Sequence, residues 1–517
     1  MYQNRRSSYS GFILIFVAIK VILNLFALSR FGFQRDELLH LAVGDHLAWG
    51  YKEVPPFIAV LARITTDVFG SSVFATRIFS TIFAGLIIWF TGAITVEFGG
   101  KKFAIALACL AVIISPAFLA SEYLFQPVVF DQFWWVFTVY LMVKYINTSS
   151  VKYLYFIGIA VGIGLLTKYT MGFFAIALFI GLLFTKQRRL LFSKHVLAAF
   201  AIAIIIFLPN IIWQFKHHLP VFTHMSELQS TQLSHIKPID FISQQLLVNG
   251  IGVILWLTGF FFLIFSSKLR KYQFLSFGYL VIFLFLLEMN GKNYYIFGAY
   301  PMLFAAGAFG FERWIKNTAV RGLVLAVFTL PGLLLLPMLL PVLPLNQTLP
   351  FFAYSNKNLP LLHSLTSWNG PKLQATTQDY ADMLGWDELS KKVADTYHSL
   401  TPDQQKHTVI IADNYGEAGA IHHFGKQYNL PDCISLNSSF ALWAPPSINA
   451  DYVIYVDDDN DGNNAKKISP YVSSVQKIGI VDNPLAIEQG TGIYLLSHPK
   501  PLFNVFYQKL LAVQLSE

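Results

Sequence analysis

FILIFVAIKVILNLFAL at residues 12–28, followed at once by SRFGFQRDE at 29–37, decides how the chain is read. An apolar run of about 17 residues is long enough to cross a bilayer as a helix. Arg5 and Arg6 precede it, as the basic end of a signal peptide would. No small-residue cleavage site follows, so the run reads as a retained span. The acidic pair Asp36–Glu37 then falls at the membrane surface, just beyond the first crossing.

Composition extends this reading to most of the chain. Of 517 residues, 55% are hydrophobic, 16% aromatic and only 13% charged, with a mean hydropathy of +0.52. A water-soluble domain carries about 25% charged residues, so lipid is the main solvent here. The net charge of +8 is modest, and its lysines and arginines sit in short loops, which argues against nucleic-acid binding. Cys109 lies in an apolar run and Cys433 in a distant polar segment, so no disulfide is expected.

Eleven spans are expected, near 11–29, 72–96, 103–120, 128–147, 152–167, 170–185, 196–213, 247–266, 273–289, 295–311 and 319–344. With the N-terminus in the cytoplasm, every basic cluster falls on one side: Arg5/Arg6, Lys101/Lys102, Lys144/Lys152, Lys186/Arg188/Arg189/Lys194, Lys268/Arg270/Lys271 and Arg313/Lys316/Arg321. A ten-span count breaks that pattern. The other, extracytoplasmic side receives residues 30–71, Glu122, Lys168, the loop 214–245, the turn 290–293 and everything after about 345.

Two outer regions have structure of their own. Apolar residues recur at helical spacing in 36–50 and 57–69, which predicts two amphipathic helices lying in the interface at 35–70, broken at Pro55–Pro56. Residues 346–517 alternate strand-length runs (407–412, 452–456) with helical patterns (386–400, 416–428), which predicts a soluble α/β domain. The transmembrane domain is 1–345.

Chemistry-bearing residues gather at the outer face. Asp36–Glu37 reads either as two solvated carboxylates at a helix N-terminus or as a catalytic base and its neighbour. Glu53, Glu122, Asp131, Lys168 and Lys292 at the same depth favour the second, because ionisable groups at a membrane boundary are costly to keep. Asp131 requires a partner, with Arg35 and Lys168 nearest in topology. Tyr294 and Tyr295 flank Lys292 in a turn suited to a lipid-linked phosphate. His217, His218, His224 and His235 share a loop but lack metal-ligand spacing; a divalent-metal site is expected only if Glu53 joins His217 and His224. The turn Asp457–Gly462 matches the first half of a calcium-binding loop, but Ile468 replaces its bidentate glutamate, so it reads as a solvated acidic turn.

Four stretches together resemble the polytopic GT-C glycosyltransferases, in the bacterial branch related to protein O-mannosyltransferases and the lipid A aminoarabinose transferase. They are Arg35-Asp36-Glu37, GYKEVPP at 50–56, Asp131 before its aromatic run, and KNYYIFGAYP at 292–301, with Arg77 in the helix after the first two. The segment ADNYGEAG at 412–419 also looks familiar from bacterial members. The resemblance covers about residues 10–345. It implies transfer of a sugar from a polyprenyl-phosphate carrier to a hydroxyl on a lipid, glycan or protein, with inversion, at the non-cytoplasmic face of the cell inner membrane. Asp36 would be the catalytic base, supported by Glu37 and Asp131. Glu53, Arg77, Lys168, Lys292, Tyr294 and Tyr295 would bind substrate, the lysines and Tyr295 at the donor phosphate. No cofactor is required by the sequence; a divalent metal beside Glu53 would fit the family. In the aminoarabinose transferases the Pro-Pro pair follows Glu-Lys, whereas here it follows Glu53–Val54, so one phosphate-binding lysine is missing.

A transporter or lipid flippase is the rival reading, but its polar residues tend to lie mid-span at broken helices. A receptor or assembly factor using the C-terminal domain is the third. Neither accounts for an acidic pair opening two amphipathic segments.

Overall fold

The computed structural model describes residues 2–368, 370 and 372–516, and the side chains of Arg5 and Arg6 lie outside that description. Helices stand at each of the eleven expected spans: Tyr2–Leu28, Ile78–Glu97, Lys102–Ile114, Pro127–Thr148, Lys152–Thr167, Thr170–Leu183, Lys194–Lys216, Gly252–Phe265, Gln273–Glu288, Tyr300–Trp314 and Thr318–Leu339. Among the described residues, six stretches are long and apolar enough to cross a membrane alone, or eight if two sharply bent pairs each count as one. Eleven self-sufficient spans are therefore not found. Lys102–Ile114 and Lys152–Thr167, at 13 and 16 residues, fall short of the roughly 20 a bilayer needs. Pro127–Thr148 has the length, but Asp131, Gln132 and Lys144 are buried along it.

Small residues bring the helices together. A side chain at Gly259 would strike the carbonyl of Leu303, and one at Gly307 the carbonyl of Leu255, so this helix pair packs backbone to backbone. Charges inside the bundle are paired. Lys20 meets Glu122 at 2.7 Å with both side chains fully buried, and Lys144 meets Glu97 at 3.4 Å. Lys144 is thus an internal partner rather than a free loop charge.

The helix Arg35–Asp45 does not present the exposed apolar face expected of an amphipathic interfacial helix. Glu37 to Gly44 are all buried, because the helix Tyr415–Phe424 of the C-terminal region covers the face that lipid would have met. It ends at Asp45, well before Gly50. The helix Phe57–Phe69 does keep an apolar exposed face, with Val60, Ile64, Val68 and Phe69 uncovered.

The C-terminal region is α/β around a five-stranded sheet. Its strands are β1 (Thr408–Ala412), β2 (Cys433–Ile434), β3 (Tyr452–Asp457), β4 (Ser474–Ile480) and β5 (Gly492–Ser497), in the order β2-β1-β3-β5-β4. β1 runs parallel to β2 and β3, while β5 is antiparallel to β3 and β4. Central β3 is buried almost throughout. Cys109 and Cys433 are both free and buried.

One buried ion pair fixes the entrance to this architecture. Arg77 donates to both oxygens of Glu37 (Nε–Oε1 2.8 Å, Nη2–Oε2 2.7 Å), and neither side chain reaches solvent. Removing one partner of such a pair costs about 3–5 kcal/mol, because the other charge stays buried and unpaired. Arg77→Met should therefore lower the melting temperature in detergent sharply, and the double variant with Glu37→Gln should recover part of the loss. A single variant that melts like the wild type would show that the pair does not hold the fold.

Candidate active site

Asp36 and Glu37 occupy the first turn of Arg35–Asp45, where the positive end of the helix dipole favours carboxylates. Their roles divide. Gln34 caps the helix: its side chain accepts from Asp36 N at 2.8 Å, while its own amide donates to Glu37 Oε2 at 2.9 Å. Glu37 points into the protein, where Arg77 and the Phe125 amide (2.8 Å) fill its remaining acceptor positions. It is a positioning residue with no access to a substrate. Arg77 likewise faces inward: its guanidinium also donates to the Gly32 carbonyl at 2.9 Å and lies over the Tyr123 ring. The expectation that Arg77 touches substrate therefore gives way to a structural role.

Asp36, one residue earlier, turns the other way and is partly open. Tyr415 donates to its Oδ1 at 2.9 Å, and Gln126 to its Oδ2 at 3.1 Å. Each carboxylate oxygen keeps a lone pair free. Tyr415 belongs to the C-terminal region, so both parts of the chain build this site. The Asp36 charge acts on both Lys292 and Tyr294. Burial lowers the Lys292 amine below the ordinary lysine range, and Asp36 opposes that shift. Burial also pushes the nearby carboxyls of Asp379 and Asp382 up to about 6 and about 7, with the Asp36 charge adding to both.

Lys168 forms a cationic patch with Lys292. Its ammonium lies 4.6 Å from the Tyr294 ring centre and 4.8 Å from that of Tyr295, with the Lys292 ammonium 6.0 Å over Tyr294. Such faces attract cations, and they hold two positive charges near each other. Asp131 lies deeper, accepting from Trp135 Nε1 at 3.0 Å and Thr170 Oγ1 at 2.7 Å, with Lys168 as its charged neighbour. Arg35 is not its partner; it pairs instead with Glu488 at 2.8 Å and Asp382 at 3.5 Å.

Glu53 lies in the loop between the helices Arg35–Asp45 and Phe57–Phe69. Ser439 donates to its Oε2, while Oε1 is buried without a hydrogen-bond partner, and the carboxylate's charge acts on His224. Burial lowers the His224 pKa against the pull of Glu53. His217 is exposed, stacked on Trp213 at 4.1 Å, with Nδ1 2.8 Å from the Trp213 carbonyl. Among the described residues, the expected Glu53–His217–His224 ligand set does not come together; the one close group of three is Asp413, Asp457 and Asp458. Lys52 does not replace the missing lysine, since its amine is bound by Gln514 Oε1 (2.8 Å) and carbonyl (3.0 Å). A cavity of about 400 Å³ opens beside it, lined by Lys52, His217, His218 and Gln514.

Residues 53–213 match a family model described as dolichyl-phosphate-mannose-protein mannosyltransferase. Glu53, Arg77, Asp131 and Lys168 fall inside that match; Asp36, Lys292 and Tyr415 fall outside it. No curated protein sequence matches the chain. Among solved structures, ArnT from Cupriavidus metallidurans in the apo state aligns with a TM-score of 0.60 at 13% identity, over 95% of this chain and 98% of that one. The form of ArnT bound to undecaprenyl phosphate gives 0.58 at 12% identity, over 94% and 98%. The chain has the GT-C fold. Within this fold it is also similar to the Archaeoglobus fulgidus oligosaccharyltransferase in complex with zinc and sulfate, with a TM-score of 0.51 at 15% identity over 88% of this chain and 69% of that one. The ArnT alignment spans bundle and C-terminal region together, so the fold it shares includes the region that supplies Tyr415.

Sequence reading placed Asp36, Asp131, Lys168, Lys292, Tyr294 and Tyr295, and the GT-C architecture gathers them at one end of the bundle. It missed Gln34, Gln126, Tyr415 and Ser439. Tyr415 had a signal in the segment 412–419, whereas nothing in the sequence links Glu488 to Arg35. The docking of Tyr415 depends on a tight helix contact: a Cβ at Gly419 would lie 2.9 Å from Leu38 Cβ and 3.0 Å from its carbonyl carbon. Gly419→Ala should push the two helices apart at a cost of about 1–3 kcal/mol. Limited proteolysis in detergent should then cut the C-terminal region faster than in the wild type; unchanged cleavage would mean the contact is slack.

Proposed function

We propose that the chain is a membrane glycosyltransferase that moves a sugar from a polyprenyl-phosphate donor to a hydroxyl acceptor, with inversion and with Asp36 as the base. The observation that carries this reading is a half-open carboxylate, held by Tyr415 and Gln126, whose charge acts on Lys292, which shares the Tyr294 ring with Lys168. The fold shared with ArnT bound to undecaprenyl phosphate supports a lipid-phosphate donor. The match to the mannosyltransferase model supports a hydroxyl acceptor. By the positive-inside pattern, the site and the C-terminal region face away from the cytoplasm.

The chemistry follows from the charges. As the acceptor oxygen attacks the anomeric carbon, its proton passes to a free lone pair of Asp36. The bond from that carbon to the phosphate oxygen breaks on the opposite face, and the electron pair leaves with the lipid phosphate. Lys168 and Lys292 sit where that negative charge would grow, which is the form of stabilisation that contributes most to such steps. General-base assistance alone contributes about 10²–10⁴-fold. Asp131, bonded to Trp135 and Thr170, holds Lys168 at the site rather than touching the reacting atoms. Glu53 and His224 offer two ligands to a divalent cation, fewer than a closed site needs, and no step requires one.

Purified protein given a panel of polyprenyl-phosphate sugars, with products read by mass spectrometry, tests the reading. Asp36→Asn should abolish transfer while leaving membrane expression intact; retained transfer would remove Asp36 from the mechanism. Movement of solute across liposomes without any lipid-linked sugar would instead favour a transporter.

The lowered Lys292 pKa gives a second test. A lysine that must stay protonated loses its charge as pH rises through its pKa, here below the ordinary range. The alkaline limb of kcat/KM should therefore begin earlier than an ordinary lysine would allow. Lys292→Arg, which does not deprotonate, should move that limb upward; an unmoved limb would exclude Lys292 as its source.

A further inference from the structure

The two lysines of the cationic patch come from loops far apart in the sequence. Lys168 leads into the helix Thr170–Leu183, and its carbonyl accepts from the Met171 amide at 3.1 Å. Lys292 leads into the short turn Asn293–Ala299, and its carbonyl accepts from the Tyr295 amide at 3.2 Å. Both ammonium groups lie over the Tyr294 ring. Like charges gathered over one ring repel, so the backbones that carry them have to impose the spacing.

One fully buried side chain, Trp135, touches the supports of both lysines. Its ring stacks on Phe174, with ring centres 4.0 Å apart and planes 6° from parallel. Its Nε1 donates to Asp131 Oδ1 at 3.0 Å, and Asp131 Oδ2 accepts from Thr170 Oγ1 at 2.7 Å. Thr170 and Phe174 stand one helical turn apart on the helix that Lys168 leads into. The turn that Lys292 leads into also lies directly on Trp135. A Cβ at Gly298 would lie 2.7 Å from Trp135 Cβ, 2.8 Å from its Cγ and 3.0 Å from its Cδ2. The start of the same turn is tied down by Gln245, whose Nε2 donates to the Asn293 carbonyl at 3.2 Å. Gln245 Oε1 accepts in turn from Tyr300 Oη at 2.5 Å, and both side chains are fully buried.

We propose that Trp135 is the positioning residue of the cationic patch: it sets the spacing between Lys168 and Lys292, with Gln245 holding the turn against it. The inference rests on the reading that these two lysines hold the donor phosphate. Trp135 itself touches no substrate. Charge-assisted bonds from an ammonium to a phosphate are short, about 2.7–2.9 Å. One phosphate meets both lysines only at a fixed separation, so a small shift of either loop breaks one of the two contacts.

Binding of undecaprenyl phosphate to the full chain in detergent, measured in a double-mutant cycle, tests the proposal. Gly298→Ala should press the turn off Trp135 and weaken binding about tenfold, within the range that coupled neighbours show. In a Lys168→Met background the same substitution should change affinity less than about twofold, because Lys292 then has no second lysine to be spaced from. Trp135→Phe keeps the ring and drops the donor to Asp131. It should weaken binding in the wild-type chain but not in the Lys168→Met chain, and it carries the test alone if Gly298→Ala does not fold. Equal losses in both backgrounds would mean general structural damage and would overturn the proposal, as would no loss in the wild-type chain. A Lys168→Met chain that binds as tightly as the wild type would instead overturn the reading of the lysines as the phosphate site.

Discussion

Arg77 and Glu37 meet inside the protein with no water to soften either charge. Neither tolerates burial alone, so each fixes the other, and through them three elements are locked. Arg77 stands at the start of the helix Ile78–Glu97, Glu37 in the first turn of Arg35–Asp45, and the Phe125 amide closes the third side. The remaining guanidinium donors reach back to Gly32 and Leu28 at the end of the first span. Asp36 has little freedom as a result. With its neighbour drawn inward, helical geometry turns Asp36 toward the open side.

What Asp36 meets there comes from far along the chain. Gln126 approaches from the bundle and Tyr415 from the C-terminal region, while Lys168 and Lys292 share the Tyr294 ring. The helix Tyr415–Phe424 can lie this close to Arg35–Asp45 only because Gly416 and Gly419 leave room for Arg35 and Leu38. The C-terminal sheet is thus part of the site rather than an appendage, and its own carboxylate group sits on the turn that delivers Tyr415.

The bundle and the candidate base were legible in the sequence because both rest on local signals. Apolar runs mark helices, and an acidic pair just past a span is conspicuous against so few charges. The roles within the pair were not legible: Asp36 and Glu37 are chemically alike, and only the location of Arg77 separates the candidate base from the clasp. The helix Arg35–Asp45 was read as interfacial because its apolar pattern does not say whether lipid or protein covers it. The helix Tyr415–Phe424 decides that from nearly 400 residues away. Partners such as Glu488 for Arg35, or Ser439 for Glu53, follow from tertiary packing alone.

The central claim is that Asp36 faces a lipid phosphate held by Lys168 and Lys292. A structure of the full chain bound to a polyprenyl phosphate tests it most directly. The account predicts the phosphate against both lysines at charge-assisted hydrogen-bond distance, about 2.7–2.9 Å, on the Asp36 side of Tyr294. A phosphate bound instead in the cavity lined by Lys52, His217 and His218, out of reach of Asp36, would contradict it.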